Sequence, residues 1–410
     1  MKKIFNNPII ENQGVADPHM HVFDGKVYMY CGHDKGPGYD DYTMEEWRVF
    51  SSEDLINWKL ECTFRPEESY IGPFDKCFAG DGAERNGKYY LYFSKFQEST
   101  GVAVSENGPG GPYRDALGKP LLPKEIADTA CYDPTVFIDD DENKTPYIIF
   151  GYTVFGKSYY IARLNDDMIS LAEEPRKIEI DDTWHNDATW MTKRGDTYYL
   201  NSHETCYATS KNIYGPYTRR KDFAKEAFGD HGTFFDYHNQ NYFAFCLPEN
   251  WGVEMKDVDR FYRTTKIAYA HYRANGDIVV DPFGYKVGVG QYDASWGKIS
   301  SAWYFRATDE LRKIEIKDGF GVTGIIDGSV LEYPNFSGIR ENAELTLRVQ
   351  ANSGSSVTVY AGGEVVGKVY VEDTAGEFVE VSCPLTIAEG KYDLMLKFEG
   401  SMILDWLEVK

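Results

Sequence analysis

The 410-residue sequence predicts an all-β protein, a five-bladed β-propeller over residues 1–298 followed by a β-sandwich over residues 299–410. Three observations carry that expectation. Helical periodicity is nearly absent, and short β-branched and aromatic runs are bounded by Gly, Asn and Asp. One such run recurs at intervals of roughly 40–60 residues, the spacing of propeller blades. After residue 298 the recurrence stops and plain alternation of apolar and polar residues takes over.

The recurring run is Val27-Tyr28-Met29-Tyr30, then Tyr89-Tyr90-Leu91-Tyr92, Pro146-Tyr147-Ile148-Ile149, Tyr198-Tyr199-Leu200 and Tyr242-Phe243-Ala244-Phe245. Each follows a turn signal of the hairpin kind: Asp24-Gly25, Asn86-Gly87, the stretch from Asp139 to Asn143, Gly195-Asp196, and Asn239-Gln240. Further strands and a Gly/Pro/aromatic exit complete the unit, as where Ala103-Val104-Ser105 leads to Gly111-Pro112-Tyr113 and Ala208-Thr209-Ser210 to Gly215-Pro216-Tyr217. Units of this kind cannot bury both faces alone, so five of them close radially and hide their edges.

Ahead of each hairpin stands a short acidic or His-bearing motif. These are Ala16-Asp17-Pro18-His19, Ala79-Gly80-Asp81-Gly82, Tyr132-Asp133-Pro134-Thr135, Asn186-Asp187-Ala188-Thr189 and Asp230-His231-Gly232-Thr233. Equivalent positions of a radial array converge on its axis, which gathers carboxylates and a histidine around one funnel. Like charges crowded in a partly desolvated pocket push their pKa values apart and so separate acid from base. Asp and Asn also open strands simply as turn formers, but five motifs in phase point to a site. Paired carboxylates among aromatics point further, to hydrolysis of a glycosidic bond. One carboxylic acid protonates the leaving oxygen while the other group activates water or attacks carbon.

Composition narrows the partners. With 43 Lys+Arg against 65 Asp+Glu, the net charge of -22 excludes nucleic acid and anionic membrane surfaces. At 42% hydrophobic residues the chain is not disordered. Its Tyr 31, Phe 24 and Trp 8 suit uncharged ligands with flat faces. The seven cysteines are scattered and never spaced C-x-x-C, which predicts free, mostly buried thiols rather than disulfides or zinc. Lys2-Lys3 is not followed by an apolar leader core and no window is apolar enough to span a bilayer. A cytoplasmic location is the expectation, or secretion if a leader has been removed.

In order along the chain, these motifs resemble those of glycoside hydrolase family 43. Ala16-Asp17-Pro18-His19 with Val22-Phe23-Asp24-Gly25-Lys26-Val27-Tyr28 resembles the family's opening, and so does Tyr132-Asp133-Pro134-Thr135-Val136-Phe137-Ile138-Asp139-Asp140-Asp141. Phe78-Ala79-Gly80-Asp81 before Glu84-Arg85-Asn86-Gly87-Lys88-Tyr89-Tyr90 is similar to the second blade of the arabinofuranosidase branch. The resemblance implies a five-bladed, inverting hydrolase of arabinose- and xylose-containing oligosaccharides or polysaccharides. It makes Asp17 the general base, Asp133 the residue that tunes and orients the acid, and Asp187 the acid. His231 matches the histidine that helps hold a central Ca2+ through waters in many members, and no organic cofactor is implied. His33, Asp81, Trp190 and Glu204 are candidate substrate-binding residues. Trp184, His185, His19 and His21 line the sugar pocket or else pack within inner strands.

The acid is where this chain departs from the family. A Glu-Ala-Ser-Trp-Met-like segment is replaced by Asp187-Ala188-Thr189-Trp190-Met191, and Asp is one methylene shorter. Proton donation needs a reach of about 2.6–3.2 Å, direct or through one water. Three outcomes follow: a reshaped pocket lets Asp187 serve, Glu204 in His203-Glu204-Thr205-Cys206 substitutes, or the protein is a weak or vestigial sugar-binding propeller. The alternating segment after residue 298 resembles family 6 carbohydrate-binding modules at Asp327-Gly328-Ser329-Val330-Leu331-Glu332-Tyr333 and Leu404-Asp405-Trp406-Leu407. Ser300-Ser301-Ala302 replaces the acidic first strand and Ile403 the usual Asn, so a structural appendage competes with a working module.

Overall fold

A computed structural model describes residues 6–11, 13–36, 39–40, 42–153, 157–181, 187–202, 206–224, 230–248 and 262–410. It contains five four-stranded antiparallel meanders, each in simple sequence order. Their first strands are Ala16–Phe23, Cys77–Arg85, Thr135–Ile138, Thr189–Arg194 and Asp230–Tyr237. The recurring aromatic runs form the second strands, Lys26–Asp34, Lys88–Lys95, Pro146–Gly151, Thr197–Ser202 and Gln240–Pro248. Two-residue turns join them where expected at Asp24-Gly25 and Asn86-Gly87, both residues taking positive φ as mirror-image hairpin turns require. In the fifth sheet the turn is His238-Asn239, with φ of 54° and 61°, one residue ahead of the position expected.

Second strands read as unbroken apolar runs because both of their faces are buried. Leu91 and Phe93 pack with Tyr30 and Trp47 of the first blade. Tyr90 and Tyr92, which point the other way, pack with Ile148 and Phe150 of the third. Tyr147 and Ile149 in turn meet Met191 and Leu200 of the fourth. A period of two thus gives each neighbour alternate side chains from one strand.

Inner strands form the ring. His21 Nε2 lies 2.6 Å from Asp81 Oδ1, and Val136 N donates to Asp81 Oδ2 at 2.6 Å. Thr135 Oγ1 donates to the Thr189 carbonyl. The Trp190 indole donates to the Phe234 carbonyl at 2.9 Å, and Thr233 Oγ1 to the Pro18 carbonyl at 3.0 Å. Those bonds link blades one to two, two to three, three to four, four to five and five to one. Chain ends close the same ring: Ile9 N and Val15 N donate to Thr265 and Arg263 carbonyls, and the Asn7 amide brackets Ile267. The architecture is a five-bladed β-propeller.

The C-terminal β-sandwich has two six-stranded sheets. One runs through Tyr292–Asp293, Val330–Ile339, Gly390–Glu399, Ser355–Ala361 and Glu364–Val371; the other through Arg312–Ile316, Gly319–Ile325, Met402–Val409, Glu344–Ala351 and Val379–Pro384. Leu331, Leu347, Val357, Leu396, Leu404 and their neighbours fill its core. The chain forms two compact units. One comprises Asn7–Phe235 and Phe243–Ile267, and the other Met1–Asn6, Asp236–Tyr242 and Ala268–Lys410. Within the latter, the Phe283 and Trp303 rings stack at 5.0 Å. The Gln240 amide also donates to the Ala302 and Tyr304 carbonyls at 2.9 and 2.7 Å. Trp406 is 8% exposed beneath Lys298, whose Nζ sits 3.9 Å from the ring centre.

Candidate active site

Three blades begin their inner strand with the same backbone kink. Asp17, Asp133 and Ala188 have φ of 53°, 47° and 50°, left-handed values that cost an L-residue about 1–2 kcal/mol and gather at functional sites. Such a kink turns the head of the strand out of its ladder. Asp17, Asp133 and Asp187, which immediately precedes Ala188, all reach one cavity of about 290 Å³. His231, Arg263 and Tyr132 share its wall with an aromatic rim of Tyr42, Phe78 and Phe96.

Each of the three aspartates has a distinct anchor. Asp17 is 4% exposed; its Oδ1 accepts from Arg263 Nη1 at 2.5 Å and lies 3.4 Å from His231 Nδ1. Arg263 is held from behind by a two-bond fork to Asp34, Nε to Oδ2 and Nη2 to Oδ1, both 2.9 Å. Burial opposes its charge, but Asp17 and Asp34 hold the guanidinium well above its ordinary value. Such planar, bidentate pairing fixes direction as well as distance. The Asp133 backbone N–H donates to Ser94 Oγ at 3.1 Å, and Ser94 donates on to the Ala79 carbonyl at 2.7 Å. Asp187 Oδ2 accepts from the Tyr132 hydroxyl at 2.9 Å. Blades one, three and four therefore supply separately supported carboxyl groups to one space, the arrangement that acid–base hydrolysis of an acetal needs.

Comparison with known proteins agrees with that geometry. Residues 5–278 match the model of the Glycosyl hydrolases family 43. The chain belongs to this family. As a family 43 member it is a glycoside hydrolase, and residues 305–410 match the Carbohydrate binding module (family 6). A curated xylosidase/arabinosidase of Bacteroides ovatus is 27% identical over 333 residues, spanning 66% of this chain and 96% of that protein. A compost-metagenome family 43 β-xylosidase/α-arabinofuranosidase, solved with xylotriose in a calcium-free form, is 27% identical with a TM-score of 0.55 over 66% of this chain and 96% of that one. The Bacillus subtilis family 43 arabinoxylan arabinofuranohydrolase, solved with cellotetraose, covers 99% of this chain and 98% of its own at 22% identity and TM-score 0.59, a likeness of fold alone.

Of the residues expected from sequence in this family 43 chain, Asp17, Asp133, Asp187 and His231 converge on the cavity. Asp81 does not. It is fully buried, with Oδ1 2.6 Å from His21 Nε2 and 3.1 Å from His19 Nδ1, and it is a structural residue rather than a sugar contact. Register explains the correction. Asp81 pairs with Tyr92 as His19 pairs with Tyr30, so Asp81 stands at the level of His19, two residues below Asp17. Its flanking glycines serve packing: a Cβ on Gly82 would stand 2.2 Å from the Tyr30 ring.

Trp190 also lies off the carboxylate cavity. It is 6% exposed, edge-on to His19 at 5.2 Å, and borders a different cavity of about 610 Å³ with His21, Phe23 and Arg85. His33 is half-buried, with Nδ1 2.8 Å from the Gly14 carbonyl and its pKa lowered by burial, and it does not line the carboxylate cavity. Glu204, Trp184 and His185 lie outside the described residues. Arg263, Asp34, Tyr42 and Phe96 went unrecognised in the sequence. No motif marks Arg263, which reaches Asp17 across 246 positions.

For the calcium expected at the axis, His231 would act through waters, because both of its ring nitrogens face protein groups. His231 Nε2 is 2.6 Å from His19 Nε2, one imidazole donating to the other, and Nδ1 faces Asp17. Calcium takes six to eight oxygens. Among the described residues no group of three or more His, Cys, Asp or Glu stands where it could hold a metal ion.

Proposed function

We propose that this family 43 hydrolase releases terminal α-L-arabinofuranose or β-D-xylose, with inversion, from xylan-derived oligosaccharides. The observation that carries the reading is the convergence of Asp17, Asp133 and Asp187 from three blades on one cavity. Asp17, aligned by Arg263, takes a proton from water as that water's oxygen bonds to the anomeric carbon. Asp187 gives its proton to the departing glycosidic oxygen as the carbon–oxygen bond breaks. Asp133 lies beside them and biases the charge and direction of the acid. A volume of about 290 Å³ sits at the small end of ligand pockets and suits a terminal sugar better than the middle of a chain. Tyr42 and Phe96, 44% and 39% exposed, offer ring faces to the next sugar. The likeness to a xylosidase/arabinosidase and to a β-xylosidase/α-arabinofuranosidase supports the choice of pentose substrates.

Nitrophenyl α-L-arabinofuranoside and β-D-xyloside assays test the reading, with NMR of the first-formed sugar. Inverted anomeric configuration is expected, together with near-complete loss of turnover in Asp17→Asn. Retained configuration, or an active Asp17→Asn enzyme, overturns it. The shorter acid at position 187 favours one other reading, a propeller that binds sugar without turnover. Saturable calorimetric binding of xylotriose with no product formed would establish that alternative.

A further inference from the structure

The geometry points to Tyr132 as the positioning residue that makes an aspartate at position 187 a working acid, an inference that rests on the functional reading above. Asp187 lacks one methylene, so its carboxyl group has to be held where a longer side chain would have reached. Tyr132 does so from the neighbouring blade: its hydroxyl donates to Asp187 Oδ2 at 2.9 Å. The ring is 2% exposed and seated edge-on to Tyr152 at 6.1 Å, with Phe78 at 6.4 Å. A second third-blade tyrosine, the fully buried Tyr159, donates to the Asp187 backbone carbonyl at 3.5 Å. Main chain and side chain of the acid are both tied to blade three. Tyr132 also directly precedes Asp133, whose N–H is pinned on Ser94, so the phenol and Asp133 are fixed relative to each other.

The chemistry follows from which oxygen is engaged. With Oδ2 accepting from the phenol, the transferable proton sits on Oδ1. In the hydrolytic step the Oδ1–H bond breaks, that proton joins the glycosidic oxygen, and the bond from this oxygen to the anomeric carbon breaks. The incoming water supplies the new carbon–oxygen bond and leaves its proton on Asp17. Negative charge develops on Asp187, where the phenol donor already points, so no reorganisation is needed to meet it. Burial first, then the charges of Asp133 and Asp187, raises the Tyr132 phenol well above its ordinary value, which keeps it a donor.

Leaving groups separate this role from mere packing. A dinitrophenyl glycoside departs without acid assistance, whereas a methyl glycoside or xylobiose-type substrate requires it. For Tyr132→Phe, kcat on the poor leaving group should fall on the order of 10- to 100-fold, a part of what general acid catalysis contributes. The activated substrate should be hydrolysed at close to the wild-type rate, and KM should hardly move. The ratio of the two rates does not depend on how much of the variant is folded, and Tyr132→Leu, which removes the phenol with a different shape, should show the same ratio. Equal loss on both substrates, or no loss on either, overturns the role of Tyr132 and leaves the functional reading standing. A wild-type enzyme inert towards both, or untouched by Asp17→Asn, overturns that reading and this role with it.

Discussion

The inner strands carry two clusters of titratable side chains, two residues apart, that behave as opposites. At the strand heads, Asp17, Asp133 and Asp187 face an open cavity with one cation, Arg263, set behind the base. One level deeper, Asp81, His19 and His21 close on each other in the ring axis, Asp81 and His19 fully buried, and His231 links His19 to the cavity wall. Both clusters arise from blade repetition. Buried and in mutual contact, the deeper one is structural, because an Asp81 carboxylate left there without its histidines would bear the full cost of desolvation. The outer one keeps carboxyl oxygens at a cavity wall, which is where chemistry requires them.

Asp17→Asn should break the outer cluster with the largest effect, lowering kcat/KM by about 10³-fold or more. Fork pairing of Arg263 to Asp34 persists in that variant, so circular dichroism should report a folded propeller. Asp81→Asn should do the reverse: a loss of about 3 kcal/mol in unfolding free energy, as for other broken buried pairs, with turnover per folded molecule largely kept. Burial by itself would raise the Asp81 carboxyl, yet His21 and His19 hold it well below the usual range. A group depressed in the folded state contributes stability above its unfolded value and loses it as pH falls towards the folded one. The gap between wild type and Asp81→Asn should therefore persist at pH 5 and begin to close only below about pH 3.9. Denaturant titrations across that range would show it; a gap that closes between pH 7 and 6 would contradict the assignment.

Smaller effects sharpen the contrast. Trp190→Phe removes the indole bond to the Phe234 carbonyl while keeping a ring in place. About 1 kcal/mol of stability should go, with kcat unchanged, because Trp190 does not line the carboxylate cavity. Smallest of all, exhaustive dialysis against EDTA, or added CaCl2, should leave both the melting temperature and the turnover where they were. His231 Nε2 faces His19 and Nδ1 faces Asp17, so neither ring nitrogen is presented to an ion directly. A melting temperature raised by calcium would show an ion held at the axis through waters.

What the sequence disclosed depended on how local the signal was. Strand–turn–strand units were legible because Asp24-Gly25 and Asn86-Gly87 are turns with their own chemistry, and because burial on both faces makes runs such as Tyr89–Tyr92 conspicuous. Asp17 and Asp133 stood out through the Asp-Pro pair at the strand head, and Asp187 through Trp190-Met191 after it. Asp81 was equated with Asp17 because spacing alone does not set register between blades; only the pairing of Asp81 with Tyr92 does. Arg263 and Asp34 left no trace, since their partnership is made by ring closure between positions 229 residues apart. In the C-terminal sandwich the alternation of strands such as Ser356–Tyr360 was plain. Contacts such as those of Gln240 with Ala302 and Tyr304, or of Phe283 with Trp303, were not, because packing and not composition makes them.

The closure of the ring has a consequence for how the enzyme comes into being. Val15 N donates to the Arg263 carbonyl and Thr265 Oγ1 to the Val15 carbonyl, and two residues further on Asp17 is tied to the Arg263 side chain. Asp17, the proposed base, thus acquires its guanidinium only when the fifth blade meets the first, after nearly all of the propeller has been synthesised. An open ring is a ring without an aligned base. Turnover is then its own certificate of completed assembly, and a chain that stops between Asp187 and Arg263 would carry all three proposed catalytic aspartates and still be silent.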